Sequence, residues 1–350
     1  MANLTMRGVA EALGVSKSTV SLALRNHPHV AADTKARVQA AAKALGYKLN
    51  PMVAALMAEK RRGQPAEGAP LIVFIDYYWA PDDPRHTPAR RVFGKEATEN
   101  LQYTADWMQQ AASKHGYKLD YLKARDPGMT PSRLAEIVKS RGARGVIFLM
   151  LDEASDIWRN NWSDCSVVEL GGGMGSPFHQ VRANNLGTGR RLMTQLLERG
   201  YRRPGLAMAA SNDLSGIKRL PFLEYYSGKP PKDKVKNAFG IEWTKAGFMG
   251  WWRTAKPDVV VSSECAPLHW LREEGVKVPK EVGFACSNLM PSQIGVVAGM
   301  DVHQDLRVTA AVNLLDGLLR RNERGRPEVP FAMTVEGTWR DGPTVRSSKQ

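Results

Sequence analysis

The stretch with the clearest chemical pattern is Lys17-Ser-Thr-Val-Ser-Leu-Ala-Leu24. At helical spacing Val20, Ala23 and Leu24 turn inward, and Lys17, Ser18, Ser21 and Leu22 face out. A short helix with an exposed, polar N-terminal end suits the major groove of DNA. Patterns for covalent or metal chemistry do not form. Asp76, Asp152 and Glu264 could serve a hydrolase as paired carboxylates, but nothing in their spacing brings two together. Cys165, Cys265 and Cys286 are an odd set without paired spacing, so neither a disulfide framework nor a zinc site is expected. The histidines have no HExxH companion, and Gly171-Gly172-Gly173 completes no phosphate-loop motif. The expectation is a protein that is not an enzyme and has no metal or cofactor.

The elements that must position Lys17 and Ser18 are legible around them. Val9, Ala10 and Leu13 give a preceding helix its apolar face, Gly14 supplies a tight turn, and Val15 is buried beside it. Ser16 is placed to cap the second helix. A third helix is predicted from Ala32 to Leu45, stopped by Gly46. Asn50-Pro51 then reads as the start of a short helix running through Leu56, marginal unless something packs on it. Gly63, Pro65, Gly68 and Pro70 follow as a linker.

Charge agrees with a polyanionic partner. The 350 residues carry a formal net charge of +14. Residues 1–70 contain ten Lys/Arg against four Asp/Glu, a net +6, which leaves +8 for the rest of the chain. The longest apolar run, Val146 to Leu151, is far short of a membrane span. No secretory signal is evident at the N-terminus, so a cytoplasmic location is expected, with no membrane partner.

From Leu71 onward strands alternate with helices. Strands are predicted at 71–77, 118–123, 145–151, 166–170, 205–209, 235–239, 259–262, 282–286 and 332–336, and helices at 96–115, 131–140, 187–199 and 307–320. That alternation argues for parallel, doubly wound sheets, too many strands for one sheet and so divided between two lobes near 181–184. Ligands of such sheets sit beyond the carboxyl ends of the strands. This rule nominates Asp76, Tyr77, Trp79, Asp152 and Asn184, then Asn212, Asp213, Glu264, Asn288 and Gln304. Planar polar groups and aromatic faces suit a saccharide.

Taken together, Val9-Ala-Glu-Ala-Leu-Gly-Val-Ser-Lys-Ser-Thr-Val-Ser21, Val30 to Thr34, Leu45-Gly-Tyr47 and Asn50-Pro51 followed by Leu56 resemble the lactose-repressor (LacI/GalR) family of bacterial transcription factors. A looser, colinear resemblance runs to about residue 340 through Gly189-Arg190, Gly200-Tyr-Arg-Arg203, Pro257-Asp258 and Gly275-Val-Lys-Val-Pro279. The resemblance implies an all-α helix-turn-helix headpiece (1–49), a hinge helix and linker (50–69), and a two-lobed periplasmic-binding-protein-like effector domain (70–346). Lobe 1 is expected at about 70–181 plus 300–325, and lobe 2 at about 182–299 plus 326–346.

The resemblance also implies a homodimer on a pseudo-palindromic operator, with a small molecule, expected to be a sugar or derivative, bound between the lobes. A non-sugar effector such as a nucleobase, and an activator rather than a repressor, are the alternatives. Lys17, Ser18 and Leu22 match base-reading positions. Thr5, Ser16, Thr19, Ser21, Asn26, Thr34, Tyr47 and Asn50 match phosphate ligands, and Leu56 matches a minor-groove wedge. Lys218 or Arg219 occupies the region of the family's ligand-binding arginine. Three departures stand out: Leu22 replaces a common arginine, Ala31 a common serine cap, and Glu264-Cys265 the usual Asn-Asp.

Overall fold

The computed structural model describes residues 6–24, 30–45, 69–77, 94–149, 160–171, 175–209, 213, 215–238 and 241–347. The sites expected at Thr5, Asn26, Tyr47, Asn50, Leu56, Trp79, Asp152 and Asn212, and the hinge helix, lie outside them.

Three helices form the headpiece: α1 (Met6–Leu13), α2 (Lys17–Leu24) and α3 (Ala32–Ala44). Val9, Ala10, Val20, Ala23, Val30, Val38 and Ala42 close its core. These side chains are small, which lets three short helices approach closely; burying each valine contributes about 1.5 kcal/mol or more.

Beyond the headpiece two sheets carry the chain. The first is wholly parallel, in the order β10-β5-β4-β3-β1-β2, with β1 (Leu71–Asp76), β2 (Lys118–Lys123), β3 (Gly145–Leu149), β4 (Ser166–Leu170), β5 (His179–Ala183) and β10 (Ala332–Val335). The helices α4 (Gly94–Lys114) and α10 (Gln304–Arg321) cover one face through Met108, Val308, Val312 and Leu315 packed on Ile72, Ile147 and Val168. Helix α5 (Pro131–Ser140) covers the other through Leu134 and Val138 on Val73, Val146 and Val167. Alternate residues of each strand thus feed opposite cores, which is why these strands read as continuous apolar runs.

The second sheet runs β11-β9-β8-β7-β6, with β6 (Pro204–Leu206), β7 (Val259–Ser262), β8 (Gly283–Cys286), β9 (Gly299–Asp301) and β11 (Thr338–Arg340). It is parallel except for β11, which pairs antiparallel with β9. Helices α6 (Asn185–Glu198) and α7 (Leu220–Tyr226) pack on one face, and α8 (Lys245–Ala255) and α9 (Ala266–Glu273) on the other. Each lobe is therefore a three-layer α/β/α unit.

Two of the differences from the sequence expectation concern strand pairing. β10 joins the first sheet beside β5, although residues 326–346 were expected in lobe 2; only β11 returns to the second sheet. Of the segment expected as a strand at 235–239, residues 235–238 make a single bridge, Ala238 to Ala207, and the Asn237 side-chain oxygen takes the Leu206 N–H in place of a ladder carbonyl.

The chain crosses between lobes at 183–185, 301–304 and 335–338, and hydrogen bonds lace these crossings together. Asn184 N–H donates to Val335 O at 2.9 Å, and Gly337 N–H to Thr188 Oγ1 at 3.1 Å. His303 Nε2 and Thr338 Oγ1 lie 2.8 Å apart.

Candidate functional sites: the N-terminal headpiece and a second-lobe cavity

The turn between α1 and α2 is built by two residues. Gly14 adopts φ +65°, a left-handed conformation that costs other L-residues about 1 kcal/mol, and Val15 N–H closes the end of α1 on Ala10 O at 3.1 Å. Ser16 then caps α2, its Oγ accepting from Thr19 N–H at 3.0 Å and lying 2.7 Å from both the Ser18 and Thr19 hydroxyls. The expected cap is present. Its oxygen is engaged with the helix end, so Ser16 can offer a phosphate only its hydroxyl proton.

Lys17 and Ser18 are exposed at the N-terminus of α2, where backbone N–H groups and the helix dipole favour an anion. Leu22 is half-buried and packs in part against the headpiece core, so it presents less of itself outward than helical spacing alone indicated. Thr19 is half-buried; Ser21 lies on α2, its side chain outside the described set. Thr34 is half-buried on the first turn of α3, and Ala31 before it gives that helix no side-chain cap.

The residues nominated beyond the strand ends divide sharply. Asp76 is buried and accepts from the Tyr121 hydroxyl at 2.6 Å; burial and this carboxylate push the phenol well above its usual pKa. Tyr77 is buried against Phe148, with the Arg125 guanidinium over its ring. Asn184 caps α6 through Gly187 N–H at 3.0 Å and donates to Glu336, so both ends of its amide are engaged. Gln304 bonds Thr104 and Arg307, and Glu264 accepts from Trp243 Nε1 at 3.4 Å. Asn288 is half-buried beyond β8. These contacts give most of the nominated groups work inside the fold.

Lys218 and Arg219 part company. Asp213, whose side chain is fully buried, accepts from Lys218 N–H at 2.9 Å and from Arg219 Nε at 3.0 Å. That carboxylate folds the loop before α7 back on itself and takes up Arg219. The Lys218 side chain is left to line a cavity at the carboxyl ends of β6, β7 and β8, with Asn185, Thr188, Met208, Phe222 and Ser287. Burial lowers the pKa of its ammonium, against the opposing pull of Asp213 and Glu264, and Arg307 of α10 adds to the lowering. Among the described residues, the buried Ser287 hydroxyl has no hydrogen-bond partner. Among the described residues the cavity is about 20 Å³, room for one water. Spacing could not reveal Asn185, Thr188 and Ser287, because one helix end and one post-strand turn bring them together from distant parts of the chain.

With this geometry in place, comparison with known proteins is decisive for the N-terminus: residues 5–50 match the family described as bacterial regulatory proteins, lacI family. The lacI-type headpiece thus coincides with α1 to α3. The two lobes share their fold with solved LacI-type regulators. The lac repressor dimer bound to operator and the anti-inducer ONPF superposes with a TM-score of 0.58 at 14% identity, over 98% of this chain and 99% of that one. The transcriptional regulator CelR–cellobiose complex gives 0.60 at 18%, over 97% and 99%. A Lacl family protein from Silicibacter pomeroyi gives 0.53 at 22%, over 98% and 99%. At such identities the likeness is one of fold. No curated protein sequence matches the chain. Among the described residues no helix is long and apolar enough to cross a membrane.

Proposed function

We propose that this chain is a ligand-responsive transcriptional repressor that binds a pseudo-palindromic operator as a homodimer and releases or tightens it when a sugar or sugar derivative binds between the lobes. The observation that carries the reading is the lacI-type headpiece on residues 5–50, fused to two lobes, the second of which has a cavity lined by Lys218 at its strand ends. Support for DNA as partner comes from the exposed Lys17 and Ser18 on α2. The solved relatives add an operator-bound dimer and a cellobiose complex. In this reading Lys17, Ser18 and Leu22 touch bases, and Thr5, Ser16, Thr19, Ser21, Asn26, Thr34, Tyr47 and Asn50 contact phosphates. Leu56 of two paired subunits wedges the minor groove. Lys218 and Ser287 hold effector oxygens, with Glu264 and Asn288 at the margin, and no residue is assigned a catalytic step.

The test is selection of bound duplexes from a random pool by the full-length protein, followed by melting scans against sugars, sugar phosphates and nucleobases. A recovered inverted repeat whose preference relaxes in Lys17→Ala supports the reading; a pool with no enriched sequence sinks it. A cavity ligand raises the melting temperature by mass action.

A further inference from the structure

The amino ends of the first sheet's strands form a strongly basic face, and it is the end to which the headpiece is joined. The chain enters β1 at Pro70–Leu71, and the backbone on either side of that entry belongs to cationic residues. Lys118 N–H donates to Pro70 O at 3.1 Å, and Arg144 N–H donates to Leu71 O at 3.1 Å. One strand further along, Ser166 N–H donates to Arg144 O at 2.8 Å and Gly325 N–H to Cys165 O at 2.8 Å, which brings Arg324 into the same row.

Parallel connections also deliver the carboxyl ends of α4, α5 and α10 here, with Lys114, Lys139, Arg320 and Arg321 in or just beyond their last turns. Those four complement helix dipoles, and need no other explanation. Lys118, Arg144, Arg324 and Arg326 lie outside any helix and have no such reason to be basic.

Acidic groups on this face are largely taken. Asp120 pairs with Arg141, Glu323 with Arg321, and Asp316 with Arg320 at 2.7 Å while accepting from the Tyr117 hydroxyl. Asp164 acts on Arg324 only at longer range, and the Arg324 guanidinium is held below its usual pKa by burial and by the neighbouring charge of Arg144. Lys118, Arg144 and Arg326 are exposed and make no side-chain hydrogen bond or ion pair among the described residues. Two guanidiniums whose charges oppose each other, with Lys118 across β1 in the same row, form a site for a polyanion with repeated charges rather than for a single carboxylate.

We propose that this face, centred on Lys118, Arg144 and Arg324, binds the phosphate backbone of the same duplex that the headpiece reads. The inference rests on the DNA-binding reading. It gives the first lobe a direct, sequence-independent hold on DNA, separate from base recognition by α2. Each phosphate contact contributes about 0.9 to the slope of log affinity against log salt.

The experiment uses the full-length protein and a random-sequence duplex of about 40 base pairs, titrated by fluorescence anisotropy from about 50 to about 200 mM salt. The triple variant Lys118→Gln, Arg144→Gln, Arg324→Gln should lower the slope by about 2 to 3 and weaken binding at low salt by tenfold or more. The charge-keeping triple Lys118→Arg, Arg144→Lys, Arg324→Lys should retain the wild-type slope. If the glutamine triple melts early, Lys118→Gln alone, at an exposed strand start, should still lower the slope by about 0.9. An unchanged slope in a folded variant overturns the inference and leaves the headpiece reading standing. Absence of salt-dependent DNA binding by the wild type overturns both.

Discussion

Lys218 and Arg219 are adjacent cations with different employment. Arg219 is held by Asp213, while Lys218 faces the cavity beside the Ser287 hydroxyl. A hydrogen bond to a charged group contributes about 1.5–3 kcal/mol. Lys218→Gln should therefore reduce affinity for whichever sugar or sugar derivative raises the wild-type melting temperature, by about tenfold to a hundredfold, read by calorimetric titration. Arg219→Gln should instead lower the melting temperature of the free protein. If the two variants behaved alike, the division of labour would be wrong.

Glu169 of β4 is fully buried, and among the described residues neither of its oxygens reaches a donor at good geometry. The polar and charged pull of Ser176, Gln180 and Arg182 only partly offsets burial, which pushes its pKa up to about 7. The folded state then holds a proton that the unfolded chain has lost, so stability falls as pH rises between about 4.5 and about 7, by about 3 kcal/mol in all. Glu169→Gln should flatten that decline in denaturant midpoints measured across the same interval.

Among the elements, α2 depends on its first turn as well as on its core. Ser16 supplies the cap and Gly14 the left-handed turn, in a helix only eight residues long. Ser16→Ala should cost about 1 kcal/mol locally, seen as roughly fivefold faster amide exchange across residues 17–24 with little change elsewhere.

This turn was legible in the sequence because glycine and serine have strong, local reasons to occupy it. The alternation of strands and helices was legible for the same kind of reason. β5, β9 and β11 were not: each is short or mixes polar residues into its pattern, as in His179-Gln-Val-Arg-Ala183, and is held by its neighbours in the sheet. Nor could strand-end position separate ligand groups from structural ones. Asp76 and Asn184 stand where a ligand group should, yet a tyrosine hydroxyl and a helix cap occupy them. Lys218 came into view through the family's motif, and its separation from Arg219 only through Asp213.

At the scale of the whole molecule the three crossings matter most. Asn184 joins the first to the third through Val335 and Glu336 while capping α6. Asn184→Ala should cost about 1–2 kcal/mol. The loss should appear as one shifted transition in scanning calorimetry, because both lobes feel it. Two separated transitions would show that the crossings do not couple them.

Residues 332–340 place one strand on each sheet within a single short run. A chain cut after residue 326 would strip an edge from both lobes at once, so neither can be inherited, exchanged or lost without the other. The headpiece precedes β1 as one uninterrupted N-terminal piece, joined at one point. Grafting can therefore give these lobes a new headpiece by replacing a single stretch of sequence, whereas exchanging one lobe alone would require matching three splices simultaneously.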